Sequence, residues 1–178
     1  FTFDQGLEVF LQEMPIKGKT YRTFRWGKDL QIWLVEGRDY RSPNTMKDGP
    51  EKTIWGKDQM EWFKSTVSAS EATFKILISP TPVIGPDRPT KKDNHSNKGF
   101  FYEGENIRKF ISSQPNMYVV CGDRHWQYVS KHRKYGIVEF SIGPNSMEHA
   151  GGWKQDNVKP EHLYQNVVGG TSTETIDP

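Results

Sequence analysis

The chain has 178 residues, of which 34% are hydrophobic and 13% aromatic, and its formal net charge is +2. This length suffices for one domain with its own core, and the aromatic content argues against a disordered chain. The small net charge, with a single short basic cluster at residues 131–134, excludes a broad nucleic-acid-binding patch, and no apolar stretch approaches the roughly 18 residues that span a bilayer.

The first elements alternate between helical and extended patterns. Leu7, Phe10, Leu11 and Met14 recur at helical spacing before Pro15, with Asp4 as the expected cap. Two short aromatic and β-branched runs at residues 21–26 and 30–35 then predict a hairpin. A polar loop at 41–54, a helix at 57–68 and a short strand at 74–78 are expected to follow.

A long loop at residues 80–99, rich in proline and polar side chains, divides the chain. It precedes a predicted helix at 103–112, a strand at 117–121 and a hairpin formed by residues 127–130 and 136–141. The alternation predicts an α/β fold with a mixed sheet, hairpins and about three helices. We expect one domain over 1–178, with its core at about 7–150 and an irregular tail at 151–178.

The segment Gly122-Asp123-Arg124-His125-Trp126 follows an apolar strand. Ligands bind at the carboxyl ends of strands in open α/β sheets, and Gly122 permits a sharp turn there. If the chain stays extended, Asp123 and His125 point the same way and present a carboxylate and an imidazole to one metal. The alternative is structural, with Asp123 as a turn residue and His125 as a core histidine.

Two further polar loops hold candidate site residues. The loop 93–97 contains Asn94 and His95, and a strand–loop–helix–strand crossover brings it back towards Asp123. The loop 143–149 contains Asn145 and His149, candidates for substrate or ligand-supporting contacts. Taken alone, the loop 93–97 is more typical of an ordinary turn, and an ordinary turn explains the loop 143–149 equally well. A buried Arg–Asp network around Arg38 competes with a phosphate-facing arginine.

Several segments together resemble the C-terminal half of the PhoD-like, or alkaline phosphatase D, family of the calcineurin-like metallophosphatase superfamily. The resemblance covers most of residues 7–150 and is carried by four stretches in family order. These are residues 21–41, the helix start Gly56–Trp62 with Gln59, the Gly-Asp-x-His motif within Cys121–Trp126, and the pair Glu139-Phe140.

This resemblance implies a sandwich of two sheets flanked by helices, of which the chain would supply half. It also implies hydrolysis of phosphate monoesters or diesters at a binuclear metal site, often iron with calcium, in an enzyme that acts outside the cytoplasm. Asp123 and His125 match metal-binding positions. His95 and Arg124 are expected to be catalytic, and Asn94, Arg38 and His149 to bind substrate.

The chain also departs from the family pattern. Cys121 replaces a usual threonine, and Glu36-Gly37 alters the approach to Arg38. The ligand motifs of the family's first half are not in this sequence, which opens without Met directly into a helical pattern. We therefore expect a C-terminal piece of a longer enzyme that needs its N-terminal half and has little activity alone. The alternatives are a carbohydrate- or phosphate-binding module and a degenerate, structural metallophosphatase-like domain.

Overall fold

The computed structural model describes residues 2–16 and 18–170. Three α-helices and seven strands lie within these residues, together with a short 3₁₀ turn at Met147–His149. The helices are α1 (Phe3–Glu13), α2 (Gly56–Ser68) and α3 (Phe101–Ser112). The strands are β1 (Arg22–Trp26), β2 (Leu30–Leu34), β3 (Phe74–Ser79), β4 (Met117–Cys121), β5 (Gln127–Lys131), β6 (Val138–Ile142) and β7 (His162–Asn166).

All seven strands form one sheet in the order β1-β2-β3-β4-β6-β5-β7. Strands β2, β3, β4 and β6 are parallel, whereas β1, β5 and β7 each pair antiparallel with a neighbour. This is the mixed α/β sheet with two hairpins that the sequence predicts. Among the described residues, no helix has the length and apolar character required to cross a bilayer.

Two predictions about the ends of the chain are wrong. Thr2, not Asp4, caps α1, since its hydroxyl accepts from the backbone of Gln5 while the Gln5 side chain accepts from the Thr2 backbone. The predicted irregular tail contains β7 and the buried Trp153, which packs against Trp126. The surrounding segment is rich in glycine, asparagine and proline, which hides this strand in the sequence, and β7 forms by pairing with the edge of β5. Residues 171–178 of the predicted tail lie outside the described part.

One face of the sheet carries the core. Trp33, Leu77 and Val119 point to this face from three neighbouring strands and are fully buried. Helices α2 and α3 supply Phe63, Val67, Ile107 and Ile111 to the same cluster. The core therefore lies between the sheet and these two helices.

The opposite face of the sheet is also apolar, but it is only partly covered. Strand pairing places one row across it, formed by Leu34, Ile78, Val120, Phe140, Val129 and Tyr164. Ile78 is 37% exposed and Tyr164 48% exposed. We call this surface the open sheet face. Helix α1 buries none of its residues and leaves Phe3 and Phe10 exposed.

Candidate functional site

The candidate metal ligands lie where β3 and β4 end side by side. Ser79 and Cys121 are paired at this edge, and the Gly122 amide donates to the Ser79 carbonyl over 3.1 Å. Asp123 then adopts φ 64°, one of two non-glycine residues with positive φ in the described chain. The left-handed conformation is uncommon outside glycine and is tolerated best by Asn and Asp. The expectation of an extended chain here is therefore wrong, because the backbone turns at Asp123.

Both candidate ligands are accessible. The Asp123 side chain is 50% exposed, and His125 is exposed. Within the described chain, no cluster of three or more His, Cys, Asp or Glu residues has the geometry to hold a metal ion. The structural alternative of a core histidine does not apply to His125. Among the described residues, this edge offers two candidate donors, fewer than a complete metal site needs.

Arg124 holds Asp123 in place from a buried position. Its side chain is only 1% exposed, and its Nη2 donates to Asp123 Oδ2 over 2.6 Å. Its Nη1 donates to both carboxylate oxygens of Asp87 at 3.1 Å. In the described chain, Asp123 Oδ1 accepts no hydrogen bond. One carboxylate oxygen of Asp123 is thus fixed by a buried guanidinium, and the other remains free.

Asp87 joins the long loop to this edge. Its side chain is fully buried, and besides Arg124 it accepts from Asn94 Nδ2 over 2.8 Å and from the Arg88 amide over 2.7 Å. The structure therefore brings Asn94 close to the Asp123 segment, as the crossover argument expects. Asp87 is absent from the sequence prediction, since its surroundings, Gly-Pro-Asp-Arg-Pro, have the composition of an ordinary turn.

His95 lies elsewhere, in the core. Its side chain is 1% exposed, its Nε2 is 2.8 Å from Glu103 Oε2, and its ring packs edge-on against Trp55. Glu103 also accepts from the Ile54 amide over 2.6 Å and from the Thr53 hydroxyl. Burial acts to raise the pKa of Glu103, but the hydrogen bonds and the charge of His95 outweigh it and lower that pKa. This setting describes a structural histidine rather than one open to substrate.

Glycine at position 104 permits this packing. A Cβ there would lie 2.3 Å from the His95 carbonyl oxygen, so a larger residue would separate the loop from α3. The same carbonyl accepts from Arg108 Nη1 over 2.8 Å. The long loop is therefore fastened to α3 at His95 and to the strand edge at Asp87.

Glu139 fastens the start of that loop. Its buried carboxylate accepts from three successive amides, those of Val83, Ile84 and Gly85, at 2.7–2.9 Å, and from the Tyr128 hydroxyl at 2.9 Å. Burial raises the pKa of Glu139 despite these hydrogen bonds. The Glu-Phe pair of the sequence analysis thus carries a loop anchor, which the sequence pattern alone does not assign.

The remaining predicted residues occupy different positions. Arg38 is exposed, and its backbone amide donates to Glu36 Oε1 over 2.7 Å. His149 lies in the 3₁₀ turn, where its Nδ1 is 2.9 Å from Ser146 Oγ. The loop that carries it returns to the candidate ligands, because the Gly151 amide donates to the His125 carbonyl over 2.8 Å.

Arg41 is a further basic group near this edge that the sequence prediction misses. Its Nη2 donates to the Asp93 carbonyl over 2.7 Å, and its guanidinium lies 4.6 Å from the centre of the Phe100 ring. Burial lowers its pKa, with a contribution from Arg38, while the charges of Asp93 and Asp123 act in the opposite direction. Arg41 is therefore a basic group close enough to influence, and be influenced by, both Arg38 and Asp123.

Comparison with known proteins assigns this sequence to a family. The sequence model described as PhoD-like phosphatase matches residues 4–173. The chain belongs to the PhoD-like phosphatase family. It is 22% identical over 156 residues to alkaline phosphatase D of Bacillus subtilis (strain 168), a match that covers 69% of this chain and 25% of the relative. The chain thus spans about a quarter of the length of this curated relative.

Solved structures support the fold. The structure of PhoD superposes with a TM-score of 0.74 at 19% identity, covering 92% of this chain and 39% of that one. A dimetal phosphatase from Danio rerio superposes with a TM-score of 0.50 at 10% identity, covering 69% of this chain and 48% of the other. The chain therefore has the metallophosphatase-type fold and matches only part of each of these longer proteins.

Proposed function

We propose that the longer protein containing this chain is a metal-dependent hydrolase of phosphate monoesters or diesters. The observation that carries the proposal is the presentation of Asp123, which sits at the end of β4 with one oxygen held by buried Arg124 and the other free. Membership of the PhoD-like phosphatase family supports it. As an enzyme of this family, the protein would act outside the cytoplasm.

The donor types of this edge suit a metal site. A carboxylate oxygen and an imidazole nitrogen together accommodate iron and other transition metals, whereas calcium prefers oxygen. We assign Asp123 and His125 to a binuclear site with iron and calcium as the proposed metals, and the remaining ligands to the rest of the protein. When bound, such ions polarise phosphoryl oxygens and lower the pKa of a coordinated water.

The surrounding residues receive different roles. In place of the predicted catalytic role, we assign Arg124 the positioning of Asp123, because the Nη atoms of its buried guanidinium already donate to Asp87 and Asp123. Among residues whose side chains reach solvent, Arg38 is the proposed substrate contact, since a phosphoryl group is attracted to a free guanidinium. His149 remains a proposed substrate residue on the neighbouring loop.

Two other sequence predictions, those for Asn94 and His95, also take a modified form. Asn94 is fully buried and spends its amide on Asp87 and on Ser96, so we propose that it shapes the loop behind the site. His95 lies against Glu103 in the core, and we assign it a structural role in place of the predicted catalytic one. Both assignments follow from burial and from the hydrogen bonds that each side chain makes, although Nδ1 of His95 has no partner among the described residues.

The open sheet face supports the expectation that this chain needs the N-terminal half of the longer protein. A row of six apolar residues there is only partly covered, and a protein with an apolar face of this extent needs a partner layer. We propose that the N-terminal half of the same protein packs on this face. The two halves would then bring their ligands together at the shared edge.

A carbohydrate-binding module is the principal alternative, and the tryptophans argue against it. Such a module presents tryptophans in an exposed row, whereas Trp33, Trp55 and Trp126 are fully buried and Trp153 is 9% exposed. Only Trp26, at 73%, is widely exposed. Turnover of phosphate esters by the full-length protein distinguishes an enzyme from a degenerate structural domain.

The proposal is tested by turnover of p-nitrophenyl phosphate and its bis ester. We expect activity from the full-length protein, little from the 178-residue chain, and a drop of at least about a hundredfold for Asp123→Ala. Asp156→Ala, at an exposed position, is the control. Full activity in the Asp123→Ala protein would contradict the site, and no activity in the full-length protein would favour the structural domain. Turnover by the isolated chain, lost on Asp123→Ala, would show that the missing half is not needed.

A further inference from the structure

A large groove is lined by three segments of the chain. The first is the loop segment 84–89, fixed to the core face of the sheet where Ser130 donates to the Gly85 carbonyl. The second is the segment 152–161, whose Trp153 packs on Trp126. The third is the turn between β5 and β6, residues 132–134. The groove has a volume of about 930 Å³, at the upper end of the range for ligand sites.

The charge of this groove is strongly asymmetric. Its basic lining residues are Arg88, Arg133, Lys134, Lys154 and Lys159. Its acidic lining residues are Asp87 and Glu161, and the Asp87 carboxylate is fully buried. Lys134 is partly neutralised by Glu105 at 3.3 Å. The formal net charge of the chain is only +2, so this groove concentrates positive charge well above the average of the surface.

Arg88 is the best-defined of these cations, and its charge is only weakly paired among the described residues. Its only acidic neighbour in the described residues, Asp87, lies 3.7 Å away and already accepts from Arg124, Asn94 and the Arg88 backbone amide. Its Nε is buried without a partner in the described part of the chain. The guanidinium is held in position, 5.6 Å from the Trp126 ring centre and next to Gly152, where an added Cβ would be 3.2 Å from Nη1. A fixed, weakly paired guanidinium is a site for an anion.

The other cations continue this pattern along the groove. Arg133, Lys154 and Lys159 are exposed, and none forms an ion pair with a described residue. Asn157 also lines the groove and adds a neutral hydrogen-bonding side chain. Since the cations come from all three lining segments, a single small anion would engage only a few of them.

We propose that this groove binds a linear polyanion built of phosphate groups. Each phosphate offers several acceptor oxygens in different directions, which matches donors that come from three segments of the chain. A chain of such groups can place a charge near each of these segments. Binding releases counterions and therefore weakens as salt increases.

The test measures binding of inorganic linear polyphosphate to the full-length protein by isothermal titration calorimetry. The groove variant carries Arg133→Glu, Lys154→Glu and Lys159→Glu. The matched control carries Lys28→Glu, Lys47→Glu and Lys57→Glu, three exposed positions outside the groove with the same change in net charge. A conservative variant with Arg133→Lys, Lys154→Arg and Lys159→Arg checks that charge is the relevant property.

We expect the groove variant to lose at least about tenfold in affinity and to show a shallower salt dependence, while the control changes by less than about twofold. The conservative variant should bind like the unmodified protein. Equal losses in groove and control variants would overturn the proposal, because they would indicate general attraction to charge. Equally tight binding of polyglutamate would overturn the preference for phosphate, and absence of polyphosphate binding would overturn the site itself.

Discussion

Arg124 and Asp87 form a buried ion pair at the end of β4, in which Nη1 lies 3.1 Å from each carboxylate oxygen and both side chains are 1% exposed or less. The pair links the long loop to the segment that presents Asp123. Because Arg124 also donates to Asp123, a change at Asp87 is transmitted to the candidate metal ligand through one side chain.

Asp87→Asn is expected to destabilise the protein by about 3 kcal/mol, since it removes the buried carboxylate and leaves the buried Arg124 charge with only the half-exposed Asp123 as its partner. Chemical denaturation measures the free energy of unfolding. Asp156→Asn, at an exposed position, should change it by less than about 0.5 kcal/mol. Equal effects for the two variants would show that the Asp87 pair does not support the fold.

Glu103 makes stability depend on pH in the acid range. Its pKa in the folded protein lies below its ordinary value of 4.5, so the ionised carboxylate stabilises the fold above about pH 4.5. This contribution is lost as the pH falls through the folded-state pKa. We expect Glu103→Gln to lower the free energy of unfolding at neutral pH, with a difference from the unmodified protein that shrinks below about pH 4.5.

Urea titrations at several pH values check this dependence. Glu51→Gln, at an exposed position, is the matched control and should give a difference that does not vary with pH. A constant difference for Glu103→Gln across the acid range would mean that its ionisation is not coupled to folding.

Substitution of His95 distinguishes a structural role of this side chain from a catalytic one. We expect His95→Gln in the full-length enzyme to lower the free energy of unfolding by about 1–3 kcal/mol, because it disturbs the buried contact with Glu103. The shape of the pH profile of kcat should stay unchanged. Loss of an acidic or basic limb from that profile would instead support the catalytic role that the sequence suggests.

Neighbouring residues on β3 test whether the open sheet face is covered by the rest of the protein. Leu77→Ala is expected to lower the free energy of unfolding by about 2–5 kcal/mol, because Leu77 is fully buried on the core face. Ile78→Ala is expected to lower the free energy of unfolding of the isolated chain by less than about 1 kcal/mol, because Ile78 is 37% exposed on the opposite face.

In the full-length protein, the loss of unfolding free energy for Ile78→Ala should approach that for Leu77→Ala, because the N-terminal half would bury the Ile78 side chain. Denaturation of both variants in both lengths of protein makes the comparison. An unchanged small cost for Ile78→Ala in the full-length protein would contradict coverage of this face.

Sequence reasoning recovers the regular elements because their periodicity is strong. The strand 117–121 and the helix 57–68 correspond within one residue to β4 and α2. The sequence does not predict β7, because its pairing with β5, rather than its own composition, makes it a strand. Tertiary contacts decide such segments, and local propensity does not report them.

The site is recovered less completely for a related reason. The Gly-Asp-x-His motif identifies Asp123 and His125 as candidates, but hydrogen bonds over long sequence separations define their support. Asp87 lies 37 residues before Arg124, and Glu139 binds amides 54–56 residues away. His95 shows the converse, since its polar loop suggests a site while its side chain enters the core.

Metal content of the purified full-length protein tests the central claim most directly. By elemental mass spectrometry we expect about two metal ions per chain in the unmodified protein and in the exposed control Asp156→Ala. Asp123→Ala and His125→Ala should lose metal, and the isolated 178-residue chain should retain little. Full metal content in both the Asp123→Ala and the His125→Ala proteins would contradict the assignment of these two residues as ligands.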